Sequence, residues 1–113
     1  MQEIRSWNMD TVTEKYAAMR NSSKSMQDVE DETILTIDAW MEYEDVDRET
    51  GEVKTLLVIK SEGEQYTTIS NTFIREFLEA WDFFAAEGEQ VKRVAVLHGV
   101  TRAGRSYVTC EVR

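Results

Sequence analysis

Three aromatic side chains, Trp40, Tyr66 and Tyr107, stand among polar neighbours in segments that alternate with period two. Trp40 shares its side with Asp38 and Glu42, Tyr66 with Thr68, and Tyr107 with Thr109 and Glu111. Such alternation sends one set of side chains to a core and the other to water, so each ring is expected on a wet strand face. Cations lie in the same segments. Lys54 and Lys60 bracket one of them, and Arg102 and Arg105 flank a short turn just before Tyr107. Exposed rings for base stacking, with cations for phosphates, are what single-stranded nucleic acid asks of a protein. Taken singly, each ring is more simply a cross-strand or covering residue, and arginines on a turn are ordinarily just solvated. The combination is what suggests a site.

Charge both opposes and localises that reading. The chain has 13 Lys and Arg against 22 Asp and Glu, a net charge of −9, which on average repels a polyanion. The distribution is lopsided, however: residues 92–113 sum to +4 and residues 1–91 to −13. A polyanion is received at one end only, and an acidic total leaves room for a basic groove. Other chemistry finds little support. One histidine, His98, and one cysteine, Cys110, leave no His-rich or Cys-based zinc site and no internal disulfide. No Gly-rich phosphate loop or HExxH-type motif is present. The acidic runs at 28–32 and 42–47 are wrongly spaced for an EF-hand. The expectation is a protein that is not an enzyme and uses no metal or cofactor. Met1 to Arg20 does not fit a secretory signal, and the apolar runs fall far short of the ~18 residues of a membrane span. A soluble, cytoplasmic chain with no membrane partner is expected.

The elements that must position these residues divide the 113 residues in two. Residues 1–32 read as a polar extension with one short helix, opened by the capping box Thr11-x-x-Glu14 and closed at Asn21-Ser22-Ser23. Residues 33–113 read as one domain. Strands are expected over 33–43, 53–61, 65–70, 91–100 and 105–112, with the charged loop 44–52 and tight turns at 62–64 and 101–104. Between the third and fourth strands the period changes. Phe73, Phe77, Trp81 and Phe84 recur every three or four residues, which predicts an amphipathic helix near 72–86. The order β-β-β-α-β-β is that of the OB-fold, a five-stranded Greek-key barrel with a helix plugging one end. The reading is all-β with one helix, OB-fold-like, carrying a short N-terminal helical extension. An open α+β sheet is its competitor. In OB-folds the outer face of strands two and three, with the loops joining strands one to two and four to five, binds oligonucleotides. Here those loops are 44–52 and 101–104.

Several stretches resemble a known family. Ser25-Met26-Gln27-Asp28, Ala39-Trp40, Glu44-Asp45, Val53-Lys54 and Asn71-Thr72-Phe73-Ile74-Arg75-Glu76-Phe77 look like small single-stranded DNA-binding proteins of tailed phages of Gram-positive hosts. The run from Gly99 to Cys110 resembles that family's Gly-x-Thr/Ser-basic-x-Gly-Arg-x-Tyr pattern. The resemblance implies an OB-type fold that coats single strands in the host cytoplasm during phage DNA replication or recombination. It also implies replication or recombination proteins as neighbours, and neither cofactor nor turnover.

Three functions compete. The first is sequence-tolerant binding of single-stranded DNA through Trp40, Lys54, Lys60, Tyr66, Arg102, Arg105 and Tyr107. The second is an acidic protein-interaction or DNA-mimic inhibitor that uses the −13 region. The third is an assembly component that forms a homo-oligomer through a sheet edge. Rings and cations on one face favour the first; buried rings beside an ordered carboxylate stripe favour the second.

Overall fold

Residues Gln2–Trp7 form a strand, β1, in a stretch whose sequence reads as irregular. The computed structural model describes all 113 residues. A register shift between Glu3 and Arg5, where β1 pairs with a later strand, leaves Ile4 exposed and spoils the alternation that would have marked it. Helix α1 follows over Val12–Arg20, capped by Thr11, whose hydroxyl accepts from the Glu14 backbone N–H. Lys24–Ser25 is a two-residue strand, β2, in what reads as a connecting loop.

The expected strand over 33–43 is two strands, Thr33–Thr36 (β3) and Ala39–Val46 (β4). Between them, consecutive backbone N–H groups turn to different partners. Ile37 donates to the Lys92 carbonyl and Asp38 to the Lys60 carbonyl, both at 2.9 Å. The chain therefore leaves one sheet and enters another at that point. Val53–Ser61 (β5) and Glu64–Thr68 (β6) form the expected hairpin. Asn71–Ala86 is helix α2, and Arg93–Val100 (β7) and Ser106–Val112 (β8) form the last hairpin.

These eight strands make two sheets, a five-stranded one ordered β1-β4-β5-β6-β2 and a three-stranded one ordered β3-β7-β8. The pairing that a barrel needs between the first and fourth expected strands is present as β3 with β7. Closure is incomplete, however: β6 and β8 do not pair, and β2 and β8 are both free edges. The fold is mostly β with two helices, compatible with a barrel-like arrangement. Neither helix is long and apolar enough to cross a membrane.

Two apolar clusters hold it together. The larger fills the space between the sheets and α2, with Leu35, Trp40, Leu57, Ile59, Phe73, Phe77, Trp81, Val94, Val96 and Val108 buried. Helix α2 presents Phe73, Ile74, Phe77 and Trp81 to it, as the period predicts. Ser70 caps the helix, accepting from the Phe73 N–H at 3.2 Å, and donates its hydroxyl proton to the Val108 carbonyl on β8 at 2.7 Å. One side chain thus starts the helix and ties it to the strand it packs on. The smaller cluster lies on the other face of β4 and β5, where Met9 and Ala18 cover Ala39, Met41, Tyr43 and Val58. Residues 1–32 are therefore woven into the five-stranded sheet and its outer layer.

Candidate nucleic-acid interface

Trp40 is not on a wet face. It is 1% exposed, set edge-on to Phe77 at 5.6 Å and Trp81 at 5.4 Å between ring centroids. The Arg5 guanidinium lies 5.2 Å over its ring. The cause is the break at Asp38. Odd-numbered Leu35 and Ile37 face the main core before it, even-numbered Trp40 does so after it, and α1 buries the residues on the opposite side. Both faces of β4 are dry along Ala39–Met41, so no base can reach Trp40.

Tyr66 is not on a wet strand face either. It is half-buried, paired in register with Ile59 and packed against the main core. It does share its side with Thr68, but that side faces inward, and the exposed neighbour is Ile69. The Lys24 ammonium sits 5.8 Å over the Tyr66 ring and 3.7 Å from Glu64. Lys54 is exposed beside the acidic β4–β5 hairpin, opposite Asp45. Lys60 lines a shallow depression of about 300 Å³ with Asp38 and Glu64, a poor place for phosphate.

The β7–β8 hairpin behaves as its sequence predicts. Val108 is buried and Cys110 and Val112 pack on the core, so Tyr107, Thr109 and Glu111 face outward. Tyr107 is 38% exposed. Its ring lies over Gly99, its partner across the ladder: a Cβ added at Gly99 would come within 2.7 Å of Tyr107 Cε1 and closer still to Cζ and Oη. The turn between the strands is held by three bonds. Thr101 N–H donates to the Arg105 carbonyl, Gly104 N–H to the Thr101 carbonyl, and Arg105 N–H to the Thr101 hydroxyl. Gly104, at φ +82, takes the left-handed conformation that the turn requires. Arg102 and Arg105 are exposed, and neither makes an ion pair.

Between the two sheets, a groove of about 420 Å³ separates the β2–β6 side from the β8 edge. Ser23, Ser25, Thr67, Ser70 and Ser106 line it, with Ile69 and Tyr107, and no charged residue does. Thr67 donates to the Ser23 hydroxyl at 2.6 Å across the parallel β2–β6 pair. Sequence reasoning missed this groove, because Ser23 and Ser25 read as linker until β2 pairs. Burial, with Glu76 nearby, pushes the Cys110 thiol up to about 12, so it stays a protonated, unreactive core group.

Of the expected site residues only Tyr107 lines this groove. Arg102 and Arg105 are exposed in the turn that leads into β8, and Trp40, Tyr66, Lys54 and Lys60 do not line it. Comparison with curated proteins and with solved structures finds no match. A family model described as phage single-stranded DNA-binding protein, of the phi29 type, matches residues 4–113, taking in all of α1 and most of β1 as well as the stretches that carry the resemblance. With nearly its whole length matched, the chain belongs to the phage single-stranded DNA-binding protein family.

Proposed function

We propose that the protein binds single-stranded DNA with little regard to sequence, in the groove between the β8 edge and the β2–β6 edge. β3–β4, β5, β6, α2, β7 and β8 then correspond to an incompletely closed OB-type barrel. The observation that carries this is the uncharged groove of about 420 Å³ lined by Tyr107, the ring that follows the turn bearing the two unpaired arginines. Hydroxyls can bond sugars and base edges of any sequence. A base stacks on Tyr107, and Arg102 and Arg105 take phosphates at that end. The −13 of residues 1–91 keeps the strand at the basic end and off the rest of the surface. Such binding would coat single strands exposed during phage DNA replication or recombination.

The test is titration of labelled oligo(dT) by anisotropy at several salt concentrations. Tryptophan quenching is the wrong reporter with Trp40 buried. Tyr107→Ala should weaken binding by about 1–3 kcal/mol with an unchanged salt slope. Arg102→Ala with Arg105→Ala should weaken it and flatten the log–log slope by roughly 0.7 for each phosphate no longer neutralised. Wild-type protein that ignores oligo(dT) even at low salt would overturn the proposal and favour the acidic interaction protein.

A further inference from the structure

Gly99 lies inside β7, where glycine weakens a strand and any other residue would ordinarily serve better. Its φ is not positive, so the backbone does not require glycine. The space does. Tyr107 occupies the volume where a side chain at 99 would stand, with its Cε1, Cζ and Oη all too close for a Cβ. The other glycines, all at turns, have nothing within 4 Å of an added Cβ. Gly99 alone is shaped by a neighbour's ring.

We infer that Gly99 is a positioning residue for base stacking: its missing side chain seats the Tyr107 ring against the β7 backbone, so one face is held and the other is offered to a base. This rests on the binding reading above. A ring already seated loses little rotamer freedom when a base arrives, and the entropy spared appears as affinity. An added methyl at 99 drives the ring off its seat, because the β7 backbone beneath it cannot yield.

The test is a double-mutant cycle of Gly99→Ala and Tyr107→Ala, read by oligo(dT) affinity across salt concentrations. Gly99→Ala should weaken binding about tenfold, the scale of one stacked base. The salt slope should stay unchanged, and adding Tyr107→Ala should weaken binding little further. If Tyr107→Ala weakens binding while Gly99→Ala binds like wild type, the positioning role is wrong and the groove reading stands. An equal Gly99→Ala loss with or without the ring, or a flattened salt slope, overturns the role too, since the methyl would then act through the sheet or the arginine turn. Wild-type protein that fails to bind removes the groove reading itself. Nuclear Overhauser effects between the Tyr107 ring and the Gly99 backbone, measured on the free wild-type protein, test the seat independently of whether the variant folds. Their absence would overturn it.

Discussion

Trp40 and Tyr107 stand in matching contexts, each an aromatic flanked two residues away by polar side chains on one side of a strand. One is sealed in the main core and the other lies on the surface. The difference is the number of layers around the strand. β4 has β1 and β5 on either side, α2 across one face and α1 across the other, so both its faces are dry. β8 is a free edge with α2 on its inner side only. Period two tells which residues share a side. It does not tell how many sides are covered.

The sharpest way to break this comparison is to remove each ring in turn. Trp40→Ala should cost about 3–5 kcal/mol in urea unfolding, as loss of a buried aromatic does, and Phe77→Ala about the same. Tyr107→Ala should cost under ~1 kcal/mol, since a half-exposed ring leaves no sealed cavity. Equal losses at Trp40 and Tyr107 would mean that the layering does not separate the two regions.

A smaller effect is expected where the regions are joined. Ser70→Ala removes the α2 cap and the bond to the Val108 carbonyl together. About 1–2 kcal/mol of stability should be lost, the upper part of the range for a cap alone. Thermal melts check this, and a change within experimental error would show that the hydroxyl does not couple helix to strand.

The smallest effect concerns the outer layer. The Arg5 guanidinium on β1 donates two bonds to the Asp82 carboxylate on α2 and holds that carboxyl below its ordinary 3.8. A depressed carboxyl contributes stability above its unfolded value and loses it as pH falls through the folded one. Asp82→Asn should therefore lower the melting temperature slightly near pH 6 and not at all near about pH 2. The pair is exposed, so salt should shrink the difference. Identical melts at both pH values would show that the tie adds nothing.

Much of the fold was legible. The apolar stripe of α2 is long enough to be unambiguous, and its observed span of Asn71–Ala86 starts one residue before the expected one. The β5–β6 and β7–β8 hairpins were marked by short turns, and Gly63 and Gly104 do take positive φ. β1 and β2 were not legible. The first is an edge strand with a bulge, and the second is two residues long and exists only by pairing with β6. The site was legible to a lesser degree. The exposure of Tyr107, Arg102 and Arg105 was readable because their hairpin is local and singly covered. Trp40 and Tyr66 were misplaced because their surroundings come from residues far along the chain.

What the sequence alone determined is whatever depends on near neighbours: the period of α2, the tight turns, the outward side of β8 and the charge contrast between residues 1–91 and 92–113. These follow from backbone geometry and counting, which operate over a few residues. Tertiary structure decided the rest. Whether the strand over 33–43 would run straight or change sheets at Asp38 depended on Lys60 and Lys92 offering carbonyls in two different directions. That change reversed which residues face the core. The open seam between β8 and the β2–β6 edge, and the seat for Tyr107 on Gly99, arise only when strands distant in the chain come to rest side by side. No local pattern encodes a gap, because a gap is defined by two edges that do not meet.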